Sequence, residues 1–211
     1  GIRRAGKIQG SIEYYTVLRA IRAIERSDVG VLIIDAADGI TDGDKRVAGY
    51  AHQAGKGCVI VINKWDLRRK GENKMTMKDF TALVRADFAY LNYAPIVFAS
   101  ALHKQGISEI LDTAKDVNEN CALRISTGEL NRLITNAVDA HPRTEKGKAF
   151  KVKYATMVSV RPPTILLFVN DPEMFHFSYQ RYIENQIRKT YGYEGTPIRI
   201  FAKTVEKEKP E

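Results

Sequence analysis

The sequence predicts a parallel α/β sheet over residues 1–124, followed by an α+β module over 125–203 and a charged tail, 204–211. Three observations predict this. Apolar runs alternate with amphipathic helical stretches as far as Arg124, the pattern of a parallel sheet with helices on its faces. Beyond Arg124, two strand-like runs follow one another across Arg161-Pro162-Pro163, which breaks the alternation. Asn63-Lys64-Trp65-Asp66 and Ser100-Ala101-Leu102 each stand just after an apolar run, where ligands gather in open α/β sheets.

The elements follow in order. Ser11 to Arg26 has helical periodicity, with Val17, Leu18, Ile21 and Ile24 on one face. Val29 to Ile34 is a continuous apolar run that reads as a buried parallel strand. Asp38-Gly39 turns the chain, Thr41 caps a helix to about Ala54, and Gly55 ends it. Cys58 to Ile62 is a second buried strand and Arg68 to Lys74 a charged loop. Met75 to Leu91 reads as a helix with Phe80, Leu83, Val84 and Phe88 inward. Ile96 to Ala99 is a strand, and Ile107 to Leu123 a helix. In the second module, Ser126 starts a helix that ends near His141-Pro142. Lys148 to Val158 and Thr164 to Val169 are strands, Pro172 to Tyr191 holds a long helix, and Thr196 to Ala202 is a last strand.

Net charge is +8 and the pI about 9.4, a balance that suits nucleic acid or an anionic membrane, or serves solubility. Cys58 and Cys121 make no disulfide framework and read as small core residues. No stretch approaches the roughly 18 apolar residues of a membrane helix, and no secretory signal opens the sequence. A cytoplasmic protein without a membrane partner is expected. His52, His103, His141 and His176 show no metal spacing, and no Ser-His-Asp or paired-carboxylate site is evident, so no catalytic or metal-ligating residue is assigned within the chain.

Asn-Lys-x-Asp at one strand end and Ser-Ala-x at the next is how GTPases read guanine. A guanine edge offers N1–H and N2–H as a donor pair and O6 as an acceptor. The Asp66 carboxylate can take both donors in a bidentate, charge-assisted contact that adenine cannot supply. Asn63 would bond the base edge or tie the two loops together. The Lys64 stem would lie on the base with its ammonium in solvent. The Ala101 N–H would donate to O6, Ser100 would brace the loop holding Asp66, and Leu102 completes the set. Trp65 fills the variable position as a packing residue.

These motifs come with others. Gly1-Ile2-Arg3-Arg4 with Lys7, Arg19-Ala20-Ile21-Arg22-Ala23-Ile24-Glu25-Arg26-Ser27-Asp28, Asp35-Ala36-Ala37-Asp38-Gly39-Ile40-Thr41 and Ala54-Gly55-Lys56-Gly57 precede Asn63-Lys64-Trp65-Asp66, and Gly195-Thr196-Pro197-Ile198-Arg199-Ile200 closes the second module. Together they resemble the second GTPase domain and KH-like domain of the bacterial Der (EngA) GTPase family. The resemblance implies a P-loop-GTPase-type sheet, incomplete at its N-terminus, followed by an α+β KH-like domain. It also implies GTP hydrolysis in the intact protein and a role in assembling the large (50S) ribosomal subunit, with that subunit and its rRNA as partners. Gly1 would end the second-switch motif on the γ-phosphate side. Ile2 would follow where many small GTPases carry a water-orienting Gln. The ligands of Mg²⁺ and K⁺, the phosphate-binding loop and a first GTPase domain, itself a partner, would lie outside this chain. These residues alone are then expected to bind GTP or GDP weakly without hydrolysing GTP.

Gly1 to Lys7 spells Gly-x-x-x-x-Gly-Lys, but Ile8 follows where a phosphate loop needs Ser or Thr for Mg²⁺. Lys146, Lys148, Lys151, Lys153 and Arg161, with Tyr154 among them, form a candidate RNA-facing set; the alternative is a solvated strand face with Lys151 and Lys153 outward while Val152 and Tyr154 pack. Gly192-Tyr193-Glu194-Gly195 matches a KH phosphate clamp by letter, yet a strand follows it rather than a helix, so it reads as a helix end and turn. Phe175, Phe177, Tyr179 and Tyr182 could stack bases, but an aromatic cluster at a helix start is more often core. The rival reading for the whole is a non-catalytic RNA-binding protein with a degenerate nucleotide fold.

Overall fold

The computed structural model describes residues 10–68, 74–145 and 147–204, with side chains from residue 18 onward. Gly1, Ile2, Lys146, most of the Arg68 to Lys74 loop and the tail beyond Thr204 therefore lie outside the described residues. The chain forms two units, Gly1–Asn120 with Glu194–Pro197, and Cys121–Tyr193 with Ile198–Glu211.

In the first unit, α1 (Gly10–Arg26) leads to β1 (Val29–Asp35), α2 (Asp42–Gln53), β2 (Gly57–Asn63), α3 (Trp65–Arg68), α4 (Met77–Asp87), β3 (Ile96–Phe98) and α5 (Ile107–Ala122). The strands pair in the order β1-β2-β3, all parallel, with Asp35 opposite Asn63 and Ile62 opposite Phe98. β2 lies in the middle and Cys58 to Ile62 are all buried. β1 departs from the expected buried strand. Leu32 and Ile34 are buried, whereas Val31 is 40% and Ile33 59% exposed, because β1 lies at the edge of the sheet formed by the described residues and is covered on one face.

Local chemistry sets the helix ends. Thr41 and Asp44 form a reciprocal capping box at α2, and Gly55 takes φ +71° after its end. Thr76 caps α4 through the Asp79 N–H. The expected helix from Met75 to Leu91 breaks after Asp87 into a 3₁₀ turn, Ala89–Leu91. Its inward face is Phe80, Val84, Phe88 and Leu91; Leu83 is 48% exposed and was misplaced by periodicity alone.

The second unit holds α6 (Thr127–Ala140), a two-residue hairpin β4 (Thr144–Glu145) and β5 (Lys148–Ala149), then β6 (Val152–Val160), β7 (Pro163–Val169), α7 (Phe177–Tyr191) and β8 (Arg199–Thr204). β6 and β7 are antiparallel, and β7 and β8 parallel. Ala155, Met157, Ile165, Leu167, Val169 and Ile200 pack beneath Leu130, Ile134, Ile183 and Ile187 from α6 and α7. Register shifts between Val152 and Tyr154 and between Met157 and Ser159 break the strict alternation of β6. Tyr154 consequently lies on the open face at 44% exposure, against Phe168 at 6.0 Å, rather than packing beside Val152 as the solvated-face alternative would have it. Phe177 also leaves the expected aromatic core; it is 71% exposed beneath the Arg181 guanidinium. Gly192 (φ +82°) caps α7, which is the turn expected there.

Gly106 joins the loop after β3 to α5 at φ +72°, and a Cβ there would stand 2.6 Å from the Phe98 carbonyl oxygen. Gly106→Ala is expected to destabilise the first unit by about 2 kcal/mol or more, measured by urea unfolding.

Candidate guanine-binding site

Parallel pairing sends β1, β2 and β3 to the same edge of the sheet. The two loops bearing the candidate residues therefore leave side by side. At the end of β2, Lys64 adopts φ +58°, a left-handed turn rare for a residue with a side chain. The turn starts α3, a short helix that ends at Arg68, where the expected charged loop begins. Trp65 anchors it: the indole is buried against Phe98 at 4.6 Å and Phe80 at 5.6 Å, and the Trp65 backbone N–H donates to the Ala99 carbonyl at 3.0 Å.

Asp66 is the second residue of α3, and its side chain is 20% exposed. One oxygen, Oδ1, is buried without a hydrogen-bond partner. The other, Oδ2, lies 3.7 Å from His103 Nε2, beyond a hydrogen bond. An unsatisfied buried oxygen costs about 1–3 kcal/mol, so this carboxylate is poised to accept a donor.

Asn63 ties the loops together, its Oδ1 accepting the Ala101 N–H at 3.1 Å. That bond corrects the simple assignment of the Ala101 amide to guanine O6, since the amide already has a partner. The adjacent amide of Leu102, a residue 81% exposed, donates to no described residue. Ser100 is buried at 2% exposure, and its Oγ accepts the His103 N–H at 3.3 Å. It braces its own loop, closed by the paired backbone bonds of Ser100 and Gln105, rather than the loop of Asp66.

Lys64 also differs from expectation. Its ammonium is not free in solvent but lies 2.6 Å from Asp35 Oδ2. Burial raises the Asp35 carboxyl, but hydrogen bonds from Lys64 and Ala37 and the Lys64 charge outweigh it and hold it below its ordinary 3.8. The hydrogen bond and charge of Asp35 raise Lys64 above 10.5. The Asp35 contribution to stability is thus present above pH 3.8 and lost as pH falls through its lowered value. The Lys64 contribution is present below pH 10.5 and lost as pH rises through its raised value. Arg68, which donates to the Ala36 and Ala37 carbonyls, and His103 belong to this edge but carry no local motif, and Asp35, which heads the Asp35–Thr41 stretch, was not among the expected base readers.

Comparison with known proteins agrees with this geometry. Residues 12–120 match the family model of the elongation factor Tu GTP binding domain, and 124–203 that of the KH-domain-like region of EngA bacterial GTPase enzymes, C-terminal. GTPase Der of Enterococcus faecalis is 51% identical over 95% of this chain and 46% of its own length. GTPase Der of Heliobacterium modesticaldum is 47% identical over 99% of this chain and 47% of its own. The chain belongs to the Der (EngA) GTPase family. Its fold is accordingly a P-loop-GTPase-type sheet followed by an α+β KH-like domain. It spans about half the length of these curated relatives. Among solved structures, Era with MgGDPNP and nucleotides 1506–1542 of 16S ribosomal RNA is 18% identical at a TM-score of 0.44, covering 97% of this chain and 74% of that one, a likeness too distant to carry argument.

In the KH-like part of this Der-family chain, Lys148, Lys151, Lys153 and Arg161 are exposed. Lys148 lies on β5, while Lys151 and Lys153 flank the start of β6. Arg161 follows the far end of β6, roughly 25 Å away at strand rise, so the candidate set is not one cluster. Glu145 is engaged by Arg143 at 3.6 Å and His176 at 3.2 Å. Cys58 and Cys121 are buried free thiols, and burial pushes Cys58 up to about 12, which keeps it protonated. No described helix is long and apolar enough to cross a membrane.

Asn63→Ala should release the Ala101 amide, and hydrogen exchange at Ala101 should quicken by about tenfold. NMR-detected exchange of that amide checks it.

Proposed function

We propose that the first unit reads guanine and that the intact protein is a GTPase whose nucleotide state governs its binding to the large ribosomal subunit. The observation that carries this is the partnerless Oδ1 of Asp66, on a helix turn whose neighbouring loop is tied to it through Asn63 and Ala101. Guanine N1–H and N2–H supply the donor pair that this carboxylate lacks. Because Oδ1 is enclosed, bidentate contact requires the carboxylate to turn or the loop of His103 to draw back. The Lys64 stem covers the base, and the Leu102 amide is the donor left for O6, beside Ala101, whose own amide is held by Asn63. Asn63, Lys64, Asp66, Ser100, Ala101 and Leu102 thus remain the proposed guanine-binding set, with Ser100 acting on its own loop. Gly1 and Ile2 are assigned to the second switch on resemblance alone.

We assign 1–124 to the GTPase domain, 125–203 to the KH-like domain and 204–211 to a charged tail. A GTPase of this type works with Mg²⁺, and K⁺ is implied by the family. The described residues hold no cluster of three His, Cys, Asp or Glu suited to a cation, and no step is routed through either ion. What these residues supply is base selection; phosphate binding and hydrolysis are assigned to the intact protein in the cytoplasm, with its first GTPase domain as a further partner.

The KH-like domain is assigned to ribosomal RNA. Lys148, Lys151 and Lys153 supply charge, and the open sheet face supplies exposed Tyr154, Val158 and Phe201 beside Arg199 and Lys203. Strands β6, β7 and β8 contain no Asp or Glu. Phosphates favour such a surface, and aromatic faces stack bases. Lys146 joins this assignment from sequence alone, and Arg161 serves it at a separate point.

Two measurements test the reading. Asp66→Asn in the intact protein should weaken GDP by about 10- to 100-fold and admit xanthosine diphosphate; unchanged preference would favour the non-catalytic RNA-binding alternative. Lys151→Ala with Lys153→Ala should weaken rRNA binding and reduce the salt slope by about 2; an unaltered slope would remove those lysines from the interface.

A further inference from the structure

We propose that Asp35 is a positioning residue for guanine recognition, holding Lys64 in the conformation that receives the base. This rests on the guanine reading above and adds a residue outside both base-reading motifs. Asp35 ends β1 directly opposite Asn63 at the end of β2. Its Oδ2 lies 2.6 Å from Lys64 Nζ. Its other oxygen, Oδ1, accepts the Ala37 N–H at 2.9 Å, and its carbonyl accepts the Gly39 N–H at 2.9 Å. Both ends of the carboxylate are engaged, so Asp35 has little freedom of its own.

The segment bearing Asp35 is fixed a second time. Arg68 Nε donates to the Ala36 carbonyl at 2.6 Å, and the Ala36 N–H donates to the Asn63 carbonyl at 2.8 Å. Lys64 is fixed at its backbone by the left-handed turn and at its tip by Asp35. A lysine held only at its backbone samples many rotamers, and a ligand that needs its stem must then order it on binding. Lys64 is ordered beforehand.

Most exposed ion pairs contribute little. This one differs in what it constrains. Its partners sit on adjacent strand ends in fixed register, and Lys64 lies between two proposed base-reading residues, Asn63 and Asp66. The bond therefore acts on nucleotide affinity through the stem of Lys64. Base preference is left to Asp66, because Asp35 has no reach to the edge of guanine except through that lysine.

The test is a double-mutant cycle in the intact protein, with a fluorescent GDP analogue as the probe. Asp35→Asn keeps shape but loses charge, and Lys64→Met keeps the stem but loses its tip. Each is expected to weaken the probe by about three- to tenfold, and the double variant to be no weaker than either single one. The preference for GDP over xanthosine diphosphate should be unchanged by Asp35→Asn, while Asp66→Asn reverses it. Thermal unfolding identifies a misfolded variant, and Asp35→Ser then replaces Asp35→Asn. Affinity within twofold of wild type, or full additivity in the double variant, overturns the positioning role. Failure of Asp66→Asn to alter base preference overturns the guanine reading itself, whatever Asp35→Asn does.

Discussion

Everything at the candidate site depends on parallel pairing of β1, β2 and β3. Parallel strands deliver their C-terminal ends to one edge, so segments far apart in sequence emerge together. Asp35 meets Asn63 by register, and Ile62 meets Phe98, which brings Asn63 and Ser100 alongside. Two further interactions turn that coarse placement into a site. The Asn63 side chain takes the Ala101 amide across a gap of 38 residues. Trp65 sinks its ring between Phe80 and Phe98, so that Asp66, next in the chain, has a fixed backbone.

The edge holds two carboxylates with opposite conditions, and the contrast separates support from recognition. Asp35 is paired with Lys64 and bonded to Ala37, which lowers its pKa and leaves it no need of a ligand. Asp66 keeps one enclosed oxygen without a donor and the other at 3.7 Å from a histidine. Satisfied polar groups rigidify; an unsatisfied one is tolerated where something else completes it. The same argument bears on Lys64. An ammonium in open water would cost nothing to leave free, so its fixed tip implies a constraint on the stem between.

Much of this was legible in the sequence because the decisive signals are local. Thr41 ahead of its helical run marks an N-cap, which the structure completes with Asp44, and apolar runs ending in Asn63-Lys64-Trp65-Asp66 and Ser100-Ala101-Leu102 place both motifs at strand ends. What escaped depends on partners distant in sequence. Asp35 and Lys64 are ordinary charges until β1 and β2 are aligned. His103 has no spacing signature and approaches Asp66 only because the loop after β3 folds back through Ser100 and Gln105. Val31 and Ile33 read as buried since an apolar run does not say whether its strand is central or at an edge. The face of Tyr154 stayed open in the sequence because two irregularities in β6 shift the period on which alternation relies.

The two units differ in what they leave unfinished, and that difference would separate the modes of recognition proposed for them. The first leaves a hydrogen-bonding deficit at one carboxylate, which can be filled only by a donor in the right direction; such a deficit selects a particular edge of a particular base. The second leaves area and charge. Its core is closed beneath α6 and α7, yet Tyr154, Val158 and Phe201 remain on the open face of a sheet whose strands carry Lys153, Arg199 and Lys203 and no carboxylate. Positive charge and flat aromatic area hold a polyanion without demanding a sequence, since every phosphate is alike and every base has a stacking face. On the proposed function, strict base selection would fall to the sheet edge of the first unit and tolerant attachment to RNA to the open sheet of the second.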